Sequence, residues 1–310
     1  MEHDQTPQAS QQPIKRTVLD YDDIRKMIPY FDGKPRLVKF LSHVLALDKV
    51  NWIHAHNCDT PGVPFVQGLL KDLNITIELN NCDTPGVPFV QGLLKDLNIT
   101  IELNNGQVLD HLPQGGFITV SNHPFGALDG IMLIKLIGER RPDFKVMVNM
   151  VLNYISAMRP NFIMVDALAS NDPKRRAESV RGIAEAMRHV KDGHPLGFFP
   201  AGAVSKFTWD LHIEDRAWQP TVMRLIKKLK VPVVPIYFHG HNSLVFTILG
   251  MIDWRLRTLK LPSEVFRRKN DTFRISIGDP ISPEVQSRYQ SLDDLGAFLR
   301  GKTYEMKKWK

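Results

Sequence analysis

A histidine and an aspartate six positions apart, His123 and Asp129, stand in the stretch Phe117-Ile-Thr-Val-Ser-Asn-His-Pro-Phe-Gly-Ala-Leu-Asp-Gly130. A histidine that takes a proton from a hydroxyl needs its other ring nitrogen held by an acceptor, and a carboxylate from the same loop can supply one. Asn122, next to the histidine, could hydrogen-bond within such a site or simply form the turn. Equally, a His and an Asp at a helix start can cap the helix and satisfy backbone groups. The pair alone leaves both readings open.

Two further stretches carry possible chemistry. Gly197-Phe-Phe-Pro-Ala-Gly-Ala-Val-Ser205 is a strand that breaks at Pro200-Ala-Gly202. Glycine there permits close backbone approach, and N–H groups near Gly202 or Gly126 could hold an oxyanion; an ordinary strand-to-loop turn would look the same. Val231-Pro-Val-Val-Pro-Ile-Tyr-Phe-His239-Gly-His241 is a strand restricted by two prolines. His239/His241 and His54/His56 have His-x-His spacing, but no Cys or acidic cluster accompanies either pair, so no metal site is expected. His239 and His241 are read as cleft lining, His54 and His56 as solvated loop.

The elements needed to position these residues alternate along the chain. Apolar runs at 117–121, 144–149, 162–166, 196–200, 231–238 and 273–277 predict strands. Helical spacing falls at 131–138, 173–191, 219–229 and 292–307, with Pro173 in a first turn and Gly193 past an end. The expected fold is α/β: a mostly parallel central sheet flanked by helices, with an N-terminal helical segment that includes 35–50. In such a sheet sites form at strand C-termini, and all three stretches fall there.

The chain has 310 residues, 43% of them hydrophobic, enough for a full core. Its 40 Lys+Arg against 33 Asp+Glu leave a net charge of +7, which favours anionic partners without choosing among them. No apolar run reaches the roughly 18 residues that span a bilayer, and no secretory signal is evident, so the expectation is a cytoplasmic protein, peripheral on the inner face of the cell membrane. The two cysteines, Cys58 and Cys82, are copies of one residue and indicate no disulfide framework. They are copies because the 24-residue segment 57–80 returns without a change as 81–104. Two identical abutting copies are a recent duplication or an artefact, not a solenoid. Each encodes a turn, a short helix and an alternating strand. The second copy keeps its connection to Gly106, and the first is expected to loop out or to add at a sheet edge. The expected organisation is a disordered leader over 1–15, a helical segment over 16–56, the duplication over 57–104 and an α/β domain over 105–310.

Taken in order, the three stretches resemble the glycerol-phosphate and lysophospholipid acyltransferase family, most closely its bacterial branch related to ornithine-lipid and other aminolipid O-acyltransferases, sometimes labelled hemolysin-like. Asn122-His-Pro-Phe-Gly-Ala-Leu-Asp129-Gly looks like the His/Asp motif, with five residues between His and Asp where most of the family has four. Phe199-Pro-Ala-Gly-Ala-Val-Ser205 looks like the Phe-Pro-Glu-Gly-Thr-Arg-Ser block, and Val231-Pro-Val-Val-Pro235 like the Val-Pro-hydrophobic-Pro block. Phe162-Ile-Met-Val-Asp166 takes the place of the Phe-Ile-x-Arg block.

The resemblance, over about residues 110 to 285, implies acyl transfer from a thioester to a lipid hydroxyl. It makes His123 and Asp129 catalytic. It places Asn122, Phe125, Gly126, Phe199, Pro200, Ala201, Gly202, Ser205 and Pro235 at the substrate. Acyl carrier protein or a coenzyme A thioester is the implied donor, a lysolipid the acceptor, with no cofactor and no metal. Ala201 and Val204 stand where the family has Glu and Arg, and Asp166-Ala167 where it has another Arg. Those residues are associated with glycerol-3-phosphate, so their loss leans the acceptor toward a lyso-aminolipid such as lyso-ornithine or lyso-glycine lipid. Lys174, Arg175 and Arg176 could substitute, which keeps 1-acylglycerol-3-phosphate acyltransferase as the alternative. Basic stretches at 224–230 and 252–261 could seat the protein on anionic lipid or be ordinary surface helices. The rival of another class is a non-enzymatic membrane-disrupting protein. With scattered basic residues and no recognised motif, nucleic acid is not an expected partner.

Overall fold

A computed structural model describes residues 32–44, 85–149, 156–165, 173–207, 213–252 and 263–309. The chain divides into two units, Met1–Ile77 and Glu78–Lys310. In the first, the described residues form helix α1, Pro35–Val44, within the helical spacing read at 35–50. The expectations for 1–15, for the remainder of 16–56 and for the first copy of the duplication lie outside the described residues.

The second unit is built on a seven-stranded sheet. Its strands are β1 (Thr100–Asn104), β2 (Ile118–Ser121), β3 (Lys145–Asn149), β4 (Phe162–Val165), β5 (Leu196–Phe198), β8 (Val233–His239) and β9 (Thr272–Ile277), in the spatial order β1-β9-β8-β2-β5-β3-β4. All neighbours pair in parallel except β8 and β9. A separate antiparallel ribbon joins β6 (Lys206–Phe207) to β7 (Ile213–Glu214). The long helices are α2 (Val87–Asp96), α3 (Ala127–Gly138), α4 (Pro173–Lys191), α5 (Pro220–Leu229), α6 (Leu244–Ile252) and α8 (Leu292–Tyr304), with the short α7 at Pro283–Gln286. This is the mostly parallel α/β sheet that the alternating pattern calls for. The sheet also reaches upstream of residue 105: the second copy of the duplication supplies α2 and β1, and β1 closes one edge against β9.

Helices cover both faces. On one, α2 and α3 pack through Val90, Leu94, Met132, Leu133 and Ile137 onto Phe117, Val234, Ile236 and Phe238. On the other, α4, α5 and α8 bring Ala186, Val190, Met223, Ile226, Leu295 and Leu299 onto Ile118, Val120, Leu196 and Val233. Helix α3 is apolar almost all round and accordingly buried almost all round. Helix α5 is two-sided: Met223, Leu225, Ile226 and Leu229 are buried, while Arg224, Lys227, Lys228 and Lys230 face water. Its apolar face is thus spent on the core, leaving only a cationic stripe that could meet lipid. Most of 252–261 lies outside the described residues.

Strand β2 is the fourth of seven, and its parallel partners are β8 and β5. Their C-terminal ends therefore adjoin, and the loops leaving them meet in the middle of one sheet edge.

Candidate active site

Strand β2 is buried throughout and delivers the loop Asn122–Gly126 at its end. The helix beyond starts at Ala127, four residues earlier than the apolar pattern suggests. Gly126 explains the early start. Its φ of +77° lets the chain turn straight into the helix, a conformation costly for residues with a Cβ. Asp129 thereby moves from the loop into the first helical turn. There its Oδ2 accepts from the N–H of Phe125 at 2.9 Å and of Gly126 at 3.0 Å, which suits a carboxylate at a helix N-terminus.

His123 Nδ1 lies 2.9 Å from Asp129 Oδ2, with the imidazole 17% exposed and the carboxylate fully buried. The contact is at ion-pair distance, yet the ring is turned so that Nδ1 makes no aligned hydrogen bond, and Asp129 Oδ1 also has no partner. Burial raises the pKa of Asp129, and His123 with the two N–H groups offsets part of that rise. The sequence left the pair between capping and chemistry. In the structure the oxygen that caps the helix is also the one facing the imidazole, so a single carboxylate is placed for either role.

The loop after β5 closes over the histidine. Phe199 stacks on the imidazole, with centroids 4.2 Å apart and planes 27° off parallel. Ser205 donates its N–H to the His123 carbonyl at 2.9 Å. Gly202 turns at φ +66°, and Gln219 occupies the space a Cβ would need. The Gly202 N–H is consumed by the Phe199 carbonyl at 2.9 Å, as that of Gly126 is by Asp129. The glycines' own N–H groups are therefore taken, and both residues turn the chain, so an oxyanion in this loop would fall to neighbouring N–H groups. Among the described residues, the N–H groups of Ala203 and Val204 in the same turn have no partner.

Several residues expected at the substrate are committed elsewhere. Asn122 spans to β8, donating to the Phe238 carbonyl at 2.9 Å and accepting its N–H at 2.7 Å, and so fastens the loop. Phe125 is buried edge-on to Phe273 and beneath the Arg268 guanidinium. Pro235 pairs with Val120 in the body of the sheet. Pro200 is buried and accepts the Gln219 N–H through its carbonyl. Ala201 and Val204 are buried, Ala201 among the core side chains beneath α5. His239 bonds Ser276 at 2.8 Å and His241 the Asn242 carbonyl at 2.8 Å, so neither His-x-His residue turns toward His123. Burial and then Arg274 lower the pKa of His239.

One residue was not anticipated. Asp215, after β7, is buried and accepts the His123 N–H at 3.1 Å and the Ser205 hydroxyl at 2.6 Å through a single oxygen. Nothing local marks it in the sequence, since it follows Ile213-Glu214 in an unremarked polar stretch.

Among known proteins, two bacterial relatives align along most of the chain. One, 24% identical over 298 residues, is the lyso-glycine lipid O-acyltransferase of Phocaeicola vulgatus; the match covers 92% of this chain and 94% of the relative. The other, 29% identical over 290 residues, carries the same name in Bacteroides thetaiotaomicron, with 91% and 92% covered. Among solved structures, the 1-acyl-sn-glycerophosphate (LPA) acyltransferase PlsC from Thermotoga maritima superposes with a TM-score of 0.45 at 14% identity, covering 88% of this chain and 97% of that one. The profile of the family described as Acyltransferase matches residues 70–309, well over half the chain and the whole span of strands and loops that builds the His123 site. The chain belongs to the acyltransferase family.

Proposed function

We propose that the protein transfers a fatty acyl chain from a thioester to the hydroxyl of a lyso-aminolipid, with lyso-glycine lipid the favoured acceptor, in membrane lipid synthesis. The observation that carries the chemistry is the contact between His123 Nδ1 and the fully buried Asp129 carboxylate at the end of the central strand. With Nδ1 held on the Asp129 side, Nε2 is left for the acceptor. It takes the hydroxyl proton as the oxygen attacks the thioester carbonyl carbon. The negative charge moves to the carbonyl oxygen, for which the Ala203 and Val204 N–H groups are the donors at hand. Collapse reforms the carbonyl, breaks the C–S bond and expels the thiolate, which takes the proton back from the imidazolium. Asp129 stabilises that cation, and a small rotation of the ring brings Nδ1–H into line, as catalytic hydrogen bonds tighten on substrate binding. No resident cofactor enters these steps. The donor is acyl carrier protein or coenzyme A thioester, both acidic and suited to a +7 chain.

Two observations support the acceptor. The aligned relatives are named for lyso-glycine lipid. The positions where related enzymes carry Glu and Arg are here Ala201 and Val204, both buried and apolar, so they offer no guanidinium to a phosphate. The protein works at the inner face of the membrane, with the cationic stripe on α5 toward anionic lipid. No helix among the described residues is long and apolar enough to cross a membrane. The test is competition between lyso-glycine lipid, lyso-ornithine lipid and lysophosphatidic acid, each with an acyl carrier protein thioester. Preference for lysophosphatidic acid would refute the acceptor assignment.

A further inference from the structure

Asp215 is packed against the catalytic loop and has no part in the steps above. It joins four pieces of the fold. Its Oδ1 accepts from the His123 N–H and from the Ser205 hydroxyl, and its own N–H donates to the Tyr304 hydroxyl of α8 at 3.3 Å. Ser205 in turn donates its N–H to the His123 carbonyl. Both main-chain polar groups of His123 are therefore engaged, one by Asp215 directly and one by a serine whose hydroxyl Asp215 holds.

The groups facing this carboxylate are His123, Ser205, Tyr237 of β8, and Tyr304 and Arg300 of α8, while its chain neighbour Glu214 pairs with Arg300 at 3.3 Å. Burial raises the pKa of Asp215, while the hydrogen bonds from the Ser205 hydroxyl and the His123 N–H, and after them the electrostatic influence of His123 and Arg300, work against the rise. The hydroxyl of Tyr237 is pushed up to about 12, first by its own burial and then by the Asp215 charge. Two hydrogen bonds into one buried carboxylate oxygen fix the relative position of the loops that donate them, because breaking either leaves a buried polar group unpaired.

We propose that Asp215 is a positioning residue for acyl transfer: through one oxygen it holds the His123 main chain and the Ser205 hydroxyl, and so keeps the imidazole between Phe199 and Asp129. The proposal rests on His123 being the base. A displacement of about 1 Å at such a group can cost on the order of 100-fold in rate.

The test compares Asp215→Leu, Asp215→Asn and Ser205→Ala by kcat and KM per folded molecule, with thermal melts alongside. Asp215→Leu should lower kcat about 10- to 100-fold while KM for thioester and lysolipid stays within about 3-fold. Asp215→Asn should recover most of that loss, because a carboxamide oxygen can accept both bonds in the same place. A residue needed only for folding would lower yield and melting temperature but leave kcat per folded molecule intact, and that result overturns the proposal. Equal losses in Asn and Leu overturn it too. If the Leu variant does not fold, Ser205→Ala decides: a roughly 3- to 10-fold fall in kcat at constant KM is expected, and wild-type kcat refutes. His123→Ala is run in parallel; full activity there is the failure of the acyl-transfer reading itself, distinct from any result at Asp215.

Discussion

Two His–Asp contacts of nearly equal length lie at opposite ends of the sheet. His123 and Asp129 are 2.9 Å apart at the C-terminal ends of the strands, and His194 and Asp143 are 2.7 Å apart near the N-terminal ends of β5 and β3. Their surroundings differ. Asp129 is fully buried, has no Lys or Arg at ion-pair distance among the described residues, and has its pKa raised by that burial. Asp143 is 29% exposed; burial pushes its pKa up, but Arg141 and His194 outweigh it and the carboxyl sits below its ordinary value. Arg141 also ties the carbonyls of Pro113, Gly115 and Gly193 together. One pair sets a mostly buried imidazole beside a fully buried carboxyl, and the other is a surface clasp between loops. Proximity of a histidine and an aspartate is therefore no signature by itself; burial and, among the described residues, the absence of a competing guanidinium separate the two.

The comparison breaks most directly by deletion. His123→Ala should lower turnover about 100- to 10,000-fold, whereas His194→Ala should leave kcat within about 2-fold; comparable losses would erase the distinction. Next in size, Asp129→Asn should cost on the order of 100- to 10,000-fold in kcat without lowering the melting temperature at pH 7. The sign follows from linkage. A carboxyl whose folded pKa is raised opposes folding as it ionises, so the variant's advantage should shrink as pH falls toward about 4 and the native carboxyl becomes protonated. Melts at several pH values check this, and an advantage that grows in acid would show the assigned direction to be wrong.

Smaller effects are expected away from the pair. Gly202→Ala should destabilise by about 1–2 kcal/mol, from left-handed strain and displacement of the Gln219 side chain, and should reduce kcat through the Phe199 loop. Denaturant melts and kinetics together would measure it. Asp143→Ala should cost at most about 1 kcal/mol at neutral pH, discounted for solvent screening. Here the folded pKa is lowered, so the native advantage is present above about 4 and disappears as pH falls through the folded value. A difference that persists in strong acid would contradict an ionic clasp.

Much of the frame could be read directly. Alternating apolar runs located six of the seven sheet strands, and the seventh, β1, matches the alternating segment of the duplication's second copy. Pro173 and Lys191 bound α4 as its start and stop signals require. Errors clustered where backbone conformation, not hydrophobic period, decides. The start of α3 was missed because Gly126 permits a turn that no apolar spacing announces. Which N–H groups near Gly126 and Gly202 stay free was likewise hidden, because a glycine in a loop does not reveal whether its own N–H is already taken.

The site divides along the same line. His123 and Asp129 stand close to a strand end that local patterning marks, so their types and spacing single them out, whereas Phe199 enters through the family resemblance. That Asn122 belongs to Phe238, 116 residues away, and that Asp215 reaches His123 across 92 residues, depend on which strands lie side by side. By itself the sequence determined the elements, the strand ends and the His/Asp pair, because hydrophobic period and turn chemistry act over a few residues. Tertiary structure alone decided that Asp129 is buried, that the glycine amides are spent, and that a second carboxylate holds the loop. Burial and hydrogen-bond satisfaction are settled by partners distant in the chain.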